Sequence, residues 1–284
     1  MSALDRRLNA FRADLADARL EGRVKAVRFT AGEPAGICVP VADLHSAPEN
    51  TAGMDTQLLH GDTVRVFERR AGWAWIQSER DNYVGYVRET ALASALPEPT
   101  HIVMVPRSFV YPDAEIKAPP VASHSMGARV TVRGEVERRG TSYSALASGG
   151  TMVTRHLRPI HQATNDFVSS AEQFLHTPYL WGGASGFGID CSGLVQLSML
   201  MTGRCVPRDT DMQAEAIGSP VEAEAGLRRG DLVFWRGHVA IMLDAENSIH
   251  ANGHTMMVSC EPLEQAVKRI EPLYGKPVGY RRPD

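Results

Sequence analysis

Residues 178–194 read Pro178-Tyr-Leu-Trp-Gly-Gly-Ala-Ser-Gly-Phe-Gly-Ile-Asp-Cys-Ser-Gly-Leu194, and this stretch decides the fold of the second half of the chain. Its first part is too rich in glycine for regular structure, whereas apolar residues recur at helical spacing from Leu194 to Met201. Asp190 is typical of an N-cap, which places Cys191 in the first helical turn. There the unpaired amides and the helix dipole are expected to stabilise a thiolate and to bind an oxyanion. The pattern therefore indicates a nucleophilic cysteine.

A candidate base follows in two predicted strands. Residues 231–243 form two apolar runs joined by a turn at Arg236-Gly237, and His238 opens the second run. A further strand carries His250 after a turn at 244–247. If Leu243 pairs with Asn247, the two imidazoles share one face as diagonal neighbours, and one can orient the other. A loop with an even number of residues would separate them.

Each motif also has a simpler interpretation. A histidine in an apolar strand is more often a core residue, and Asp-Cys-Ser-Gly fits any capped helix. The Gly-rich loop lacks the lysine that follows a phosphate-binding P-loop. His250 and His254 have the spacing of a zinc pair, but Asn252 and Gly253 argue against a helix there. The other cysteines lack such a setting and are predicted to be ordinary core or surface thiols: Cys38, Cys205 and Cys260.

Composition narrows the class of protein. The chain has 284 residues, of which 43% are hydrophobic and 22% are charged, so a disordered or fibrous chain is excluded and about two domains are expected. A net charge of −3 without a basic block predicts no nucleic-acid partner. No apolar segment has the length of a signal peptide or a bilayer-spanning helix. We therefore expect a cytosolic chain with free thiols and no membrane partner, unless a leader precedes this sequence.

Two similar stretches precede the cysteine region. The first contains Gly61-Asp-Thr-Val-Arg-Val66, then Trp73-Ala-Trp75, and ends near Gly85-Tyr-Val87; the second runs from Gly127-Ala-Arg-Val-Thr-Val132 to Gly150-Thr-Met-Val153 without the tryptophan pair. Short alternating runs between turns favour small antiparallel β-barrels, and the pair resembles tandem bacterial SH3-like domains. The two tryptophans would share a face, which leaves core packing and ligand stacking both open.

The predicted domains follow from these boundaries. They are an N-terminal segment packing on the barrels over 1–44, a first SH3-like barrel over 45–97, a second over 98–160 and a catalytic domain over 161–284. The barrels are either structural spacers, or one of them binds the substrate or walls the active site.

The order Tyr-x-Trp-Gly-Gly, Asp-Cys-Ser-Gly, Gly-His-Val-Ala-Ile and Ile-His-Ala is highly specific. From about residue 165 onward, the chain resembles the NlpC-type (p-sixty) cell-wall peptidases, a papain-like group that acts on bacterial peptidoglycan peptides. The resemblance implies an α+β fold, with a papain-like NlpC-type catalytic domain preceded by two small SH3-like β-barrels. It also implies Cys191 as nucleophile, His238 as general base and His250 as the residue that orients the base. No metal or organic cofactor is implied.

The resemblance further implies four substrate contacts. Tyr179 would lie near the oxyanion and the substrate backbone. Asp190 and Ser192 match positions that hold a free substrate amine in members requiring one. Thr210, in Arg208-Asp-Thr-Asp-Met-Gln213, matches a position that usually bears a small hydroxyl residue, and threonine for serine is a mild departure.

SH3-like barrels before such a domain resemble the intracellular recycling branch, whose members are γ-D-glutamyl-L-diamino-acid endopeptidases. The resemblance thus implies a cytoplasmic monomer or weak oligomer whose partner is a peptidoglycan-derived peptide with a free N-terminal L-Ala. Cleavage would follow D-Glu, before meso-diaminopimelate or Lys. The alternatives are an exported cell-wall hydrolase, an N-acetylmuramoyl-L-alanine amidase or acyltransferase with the same dyad, and a non-catalytic cell-wall binding protein.

Overall fold

The computed structural model describes residues 4–222 and 226–284, and the chain divides into two compact units after residue 161. The regular elements of the first unit are almost all short strands, whereas the second unit combines a sheet with helices. Such a mixture, dominated by strands, agrees with the α+β class. None of the helices in the described residues has the length and apolar content needed to span a lipid bilayer.

The first part of the N-terminal unit is a seven-stranded antiparallel sheet preceded by a parallel pair of strands. Its strands are β1 (Leu15–Asp17), β2 (Arg28–Thr30), β3 (Glu33–Ile37), β4 (Val41–His45), β5 (Met54–Leu59), β6 (Thr63–Arg70), β7 (Trp73–Ser78), β8 (Val84–Arg88) and β9 (Leu92–Ala93). The order in the sheet is β5-β4-β8-β7-β6-β3-β9. Because β5 and β9 are edge strands that do not pair with each other, the hydrogen bonds among the described residues do not close this sheet into a barrel.

This sheet begins earlier in the chain than the sequence predicts. β3 pairs with both β6 and β9, although its residues 33–37 fall within the segment expected to lie outside the first barrel. The pairing is long-range: Ala35 lies opposite Val64, and Ile37 lies opposite Leu92. Such partners cannot be recognised from local patterning of the short strand itself.

Trp73 and Trp75 are both buried in this sheet. The guanidinium carbon of Arg88 lies 4.0 Å from the centre of the Trp73 ring, and that of Arg12 lies 4.4 Å from the centre of the Trp75 ring. Trp75 also stacks at a tilt against Phe67. Each ring is therefore buried with an arginine over one face, which agrees with a packing role in the core.

The rest of the N-terminal unit forms three small antiparallel sheets where the repeat predicts a second barrel. Their strands are β10 (His101–Val103), β11 (Arg107–Val110), β12 (Ala122–Ser125), β13 (Arg129–Val130), β14 (Val132–Arg138), β15 (Thr141–Leu146), β16 (Thr151–Val153) and β17 (Leu157–Pro159). The orders are β13-β10-β17, β11-β12 and β14-β15-β16. Within residues 98–160, all of which the structure describes, only an isolated bridge between Tyr111 and Thr151 links two of these sheets, so no closed barrel forms.

The described residues of the C-terminal unit, 162–222 and 226–284, form a six-stranded sheet, a small hairpin and four helices. The helices are α1 (Phe167–Glu172), α2 (Cys191–Leu200), α3 (Thr210–Ala216) and α4 (Leu263–Tyr274). The strands are β18 (Ala184–Ser185), β19 (Gly188–Ile189), β20 (Ser219–Pro220), β21 (Leu232–Trp235), β22 (His238–Met242), β23 (Asn247–Asn252), β24 (Met257–Pro262) and β25 (Gly279–Arg282). β18 and β19 form the hairpin, and the large sheet has the order β20-β25-β21-β22-β23-β24.

Helix α2 begins where the sequence predicts. Asp190 accepts a hydrogen bond from the amide of Gly193 at 2.7 Å, which makes it the N-cap, and Cys191 is the first helical residue. Every residue of α2 is buried, and the helix packs against α1, β22 and β23. A helix that is buried all round belongs to the core, which holds its first turn in a fixed place.

Strands β22 and β23 have the register that places His238 and His250 on one face of the sheet, and the condition set from the sequence is met. The strands are antiparallel, and the amide of Leu243 donates to the carbonyl oxygen of Asn247 at 2.8 Å. His238 and His250 therefore lie on one face as diagonal neighbours. Helix α4 packs on the same sheet through Ala266.

Candidate active site

The candidate nucleophile, Cys191, lies against the backbone on both sides of the candidate base. The thiol is 7% exposed, and its Sγ lies 4.0 Å from the carbonyl oxygen of Gly237. The amide of Val239 also donates to Sγ. Gly237 and Val239 flank His238, so the packing of α2 on β22 brings the thiol to the first residue of that strand.

Burial controls the charge of this thiol. The pKa of Cys191 is raised to about 12, chiefly by burial and then by the negative charge of Asp190. The hydrogen bond from Val239 and the charge of Arg208 act in the opposite direction but are smaller. Desolvation therefore opposes the resting thiolate that was predicted from the helix start.

His238 and His250 form a hydrogen-bonded pair, with Nε2 of His238 2.8 Å from Nδ1 of His250. Burial lowers the pKa of His238 to about 3, and electrostatic interactions with His250 and Arg269 add to that effect. Thiol and imidazole are thus both neutral near neutral pH. In this state His238 can accept the proton of Cys191 as the thiol attacks a carbonyl group.

Glu261 was not among the residues predicted from the sequence, yet it contacts His250 directly. Its Oε1 lies 2.7 Å from Nε2 of His250, and Arg269 of α4 forms an ion pair with the same carboxylate. Burial alone would raise the pKa of Glu261, but hydrogen bonds from His250 and Arg269 outweigh it and lower the pKa to about 2. His250 lies opposite Ser259, so residue 261 follows on the same face of β24. That alternation is the signal that could have identified it.

Asp190 is the centre of a buried polar cluster. Its Oδ1 accepts from the amide of Gly193 at 2.7 Å, the hydroxyl of Ser192 at 3.2 Å and Nη1 of Arg208 at 3.0 Å. Its Oδ2 accepts from the amide of Gly182 at 3.0 Å and Nη2 of Arg208 at 2.6 Å. These donors fill the roughly four lone-pair positions of a carboxylate. Arg208, which is 1% exposed and was not predicted as a site residue, balances the buried charge.

The other predicted site residues surround the same helix start. Ser192 is buried and accepts a hydrogen bond from Arg208 at 2.7 Å. Gln213 donates to the carbonyl oxygen of Ser192 at 3.0 Å, which brings α3 beside α2. Thr210 is the first residue of α3, is partly exposed and lies one turn before Gln213.

Tyr179 lies near the candidate nucleophile on the strand-like segment that pairs with Ile189. Burial raises the pKa of its phenol, and electrostatic interactions with Cys191 and Asp190 raise it further. The phenol therefore keeps its proton, and a protonated phenol can donate a hydrogen bond to a developing oxyanion.

Close backbone approach explains two of the glycines near the thiol. A Cβ at Gly193 would lie 2.3 Å from the carbonyl oxygen of Gly183, and a Cβ at Gly183 would lie 2.6 Å from the carbonyl oxygen of Gly188. The Gly-rich loop therefore packs directly on the first turn of α2. All four cysteines are free, and Cys191 is the buried one.

Comparisons with known proteins identify two matching families in this chain. Residues 176–270 match the NlpC/P60 family, and residues 44–92 match the bacterial dipeptidyl-peptidase Sh3 domain. The chain is 25% identical to dipeptidyl-peptidase 6 of Lysinibacillus sphaericus over 256 residues, covering 82% of this chain and 92% of that protein. It is 26% identical to a gamma-D-glutamyl-L-lysine dipeptidyl-peptidase of Bacillus cereus over 246 residues, covering 75% and 72%.

A solved structure supports the fold. The crystal structure of an NlpC/P60 family protein from Bacillus cereus matches with a TM-score of 0.73 at 23% identity, covering 88% of this chain and 99% of that chain. The chain therefore contains an NlpC/P60 domain and a bacterial SH3 domain, and it is a cysteine peptidase.

Proposed function

We propose that this cysteine peptidase hydrolyses the γ-D-glutamyl-L-diamino-acid bond of peptidoglycan-derived peptides, with Cys191 as nucleophile and His238 as general base. The observation that carries the proposal is the His238–His250 pair at 2.8 Å, next to a thiol in contact with both residues that flank His238. The name of the similar Bacillus cereus protein, a gamma-D-glutamyl-L-lysine dipeptidyl-peptidase, supports the bond class.

The reaction begins when Cys191 attacks the γ-carbonyl carbon and its proton passes to His238. The tetrahedral oxyanion accepts hydrogen bonds from amides at the start of α2 and from the protonated phenol of Tyr179. His238 then gives its proton to the leaving amine of the diamino acid, which leaves an acyl thioester on Cys191. His238 next takes a proton from water, and attack of that water releases the acid and restores the thiol.

Selection for a free N-terminal L-Ala amine is a separate part of the proposal. Asp190 and Ser192 are the residues that the resemblance assigns to this amine. Since Asp190 already accepts from Arg208 and three other donors, an ammonium group would have to replace one of them. Thr210 would lie near the peptide through its place on α3. Comparing the free tripeptide with its N-acetylated form tests the selection, and equal kcat/KM for both would exclude it.

We also propose a recycling role in the cytoplasm and a second, degenerate SH3-like domain over 98–160. The repeat of the Gly-x-x-Val-x-Val pattern at 61–66 and 127–132 supports the second domain. Fractionation of the native producer tests the compartment, and recovery of the protein outside the cell would contradict it.

The decisive experiment uses the purified full chain and L-Ala-γ-D-Glu-L-Lys or its meso-diaminopimelate analogue, with products identified by mass. We expect L-Ala-D-Glu and the free diamino acid. Cys191→Ala should abolish the reaction, and Cys260→Ala, which removes an exposed thiol, should retain it. Unchanged cleavage by Cys191→Ala would refute the proposal. Release of an intact stem peptide from a muramoyl peptide would instead indicate an amidase.

A further inference from the structure

Four side chains form a continuous row behind the candidate nucleophile: His238, His250, Glu261 and Arg269. Nε2 of His238 lies 2.8 Å from Nδ1 of His250, and Nε2 of His250 lies 2.7 Å from Oε1 of Glu261. Arg269 donates to the same oxygen of Glu261. The row crosses β22, β23 and β24 and ends on α4, so each member is held by a different element of the fold.

The chemistry of Glu261 determines which nitrogen of His250 carries a proton. An ionised carboxylate only accepts hydrogen bonds, and its contacts with His250 and Arg269 keep Glu261 ionised. The 2.7 Å contact therefore requires a proton on Nε2 of His250. In a neutral ring this leaves Nδ1 of His250 as an acceptor.

The same logic extends to the next ring. Because Nδ1 of His250 accepts, His238 must donate from Nε2, and the lone pair of a neutral His238 is then on Nδ1. Nδ1 is the ring nitrogen nearer the main chain, and Sγ of Cys191 contacts the main chain on both sides of His238. Nδ1 of His238 is therefore the nitrogen that must be unprotonated to accept the proton of the Cys191 thiol.

We propose that Glu261 is a positioning residue that sets the tautomers of His250 and His238 and so keeps Nδ1 of His238 unprotonated towards Cys191. The inference rests on the roles given to Cys191 and His238 in the proposed function. Glu261 acts through His250 and does not touch the reacting atoms. The competing explanation is that Glu261 only forms a structural ion pair with Arg269. The two explanations predict different effects when glutamine, a neutral residue of the same shape, replaces Glu261.

The first test is Glu261→Gln in the full chain. A glutamine amide can donate to Nε2 of His250, which would reverse the tautomers of both rings. We expect kcat on the tripeptide to fall about 100-fold or more while KM changes by less than about threefold. The matched control is Glu264→Gln. Glu264 is an exposed carboxylate in the first turn of α4 that pairs with Lys268, so this variant should retain full activity.

The second test follows the imidazole protons themselves and needs no substrate. Proton–nitrogen NMR spectra of the unaltered protein should show Nε2 protonated in both His238 and His250, with Nδ1 protonation appearing in Glu261→Gln. A proton on Nδ1 of neutral His238 in the unaltered protein would overturn the inference, even if the variant does not fold. So would a folded Glu261→Gln with unchanged kcat or unchanged tautomers. An error in the proposed substrate would leave these spectra unaffected.

Discussion

Arg208 donates to both carboxylate oxygens of Asp190, at 3.0 and 2.6 Å, in a buried ion pair at the start of helix α2. The same carboxylate accepts the amides of Gly182 and Gly193. One ion pair therefore joins the Gly-rich loop to the helix that carries Cys191. The capping residue predicted from sequence is thus part of a larger cluster that spans three segments of the chain.

Replacing Arg208 with Met should destabilise the C-terminal unit by about 3–5 kcal/mol, because Asp190 would keep its charge in a buried place without a partner. Hydrogen exchange of the α2 amides in denaturant measures this loss in the C-terminal unit alone. Arg229→Met is the control, since Arg229 is 40% exposed and pairs with the exposed Asp166, and we expect it to cost less than about 1 kcal/mol. Equal losses for the two variants would contradict the burial argument.

Gly193→Ala should impair both stability and turnover, although alanine is normally the better helix residue. The new Cβ would lie 2.3 Å from the carbonyl oxygen of Gly183, so the loop or the first turn of α2 must shift. We expect a cost of about 1–3 kcal/mol and a marked loss of kcat. Gly253→Ala, where no atom lies within 4 Å of the added Cβ, should change neither quantity. An active, fully stable Gly193→Ala protein would show that the close approach is not required.

The dependence of kcat/KM on pH should be unusually flat on the acid side. The proposed base is neutral His238, and burial lowers the pKa of its imidazole to about 3. The active form therefore persists well below the ordinary range of the imidazole. Burial also raises the pKa of Cys191 to about 12, so the neutral thiol persists on the alkaline side. We expect little change in kcat/KM between about pH 5 and pH 9. An acidic limb near the ordinary histidine pKa of 6.5 would contradict this picture.

The free energy of unfolding of the C-terminal unit should fall as the pH drops below about 6.5. In the unfolded chain His238 takes up a proton near its ordinary pKa, whereas in the fold burial keeps the ring neutral down to about 3. Between about pH 6.5 and pH 3 the unfolded state therefore binds more protons than the folded state, and the free energy of unfolding decreases as the pH falls. Hydrogen exchange near pH 7 and near pH 5 measures the change. His238→Gln should lack this component, and an identical pH response in that variant would assign the effect elsewhere.

The sequence alone determined the features whose causes are local. Asp190 is an N-cap because its carboxylate reaches an amide only three residues ahead, and Cys191 then has to be the first helical residue. The sequence predicted that His238 and His250 lie on one face, provided that the loop between β22 and β23 has the right length. Side chains alternate between the two faces of a strand, so the loop length, which sets the register, decides which side chains share a face. The family also followed from the order of the motifs.

Only the tertiary structure decided the features that depend on distant partners. Glu261 meets His250 and Arg208 meets Asp190 because separate strands and helices pack together. Alternation along β24 indicates the face on which Glu261 lies, but it does not specify the side chain that Glu261 contacts. For the same reason local patterning did not reveal that β3, which precedes the predicted first barrel, pairs with β6 and β9. The raised pKa of Cys191 also depends on the fold, because burial is a property of everything packed around the thiol.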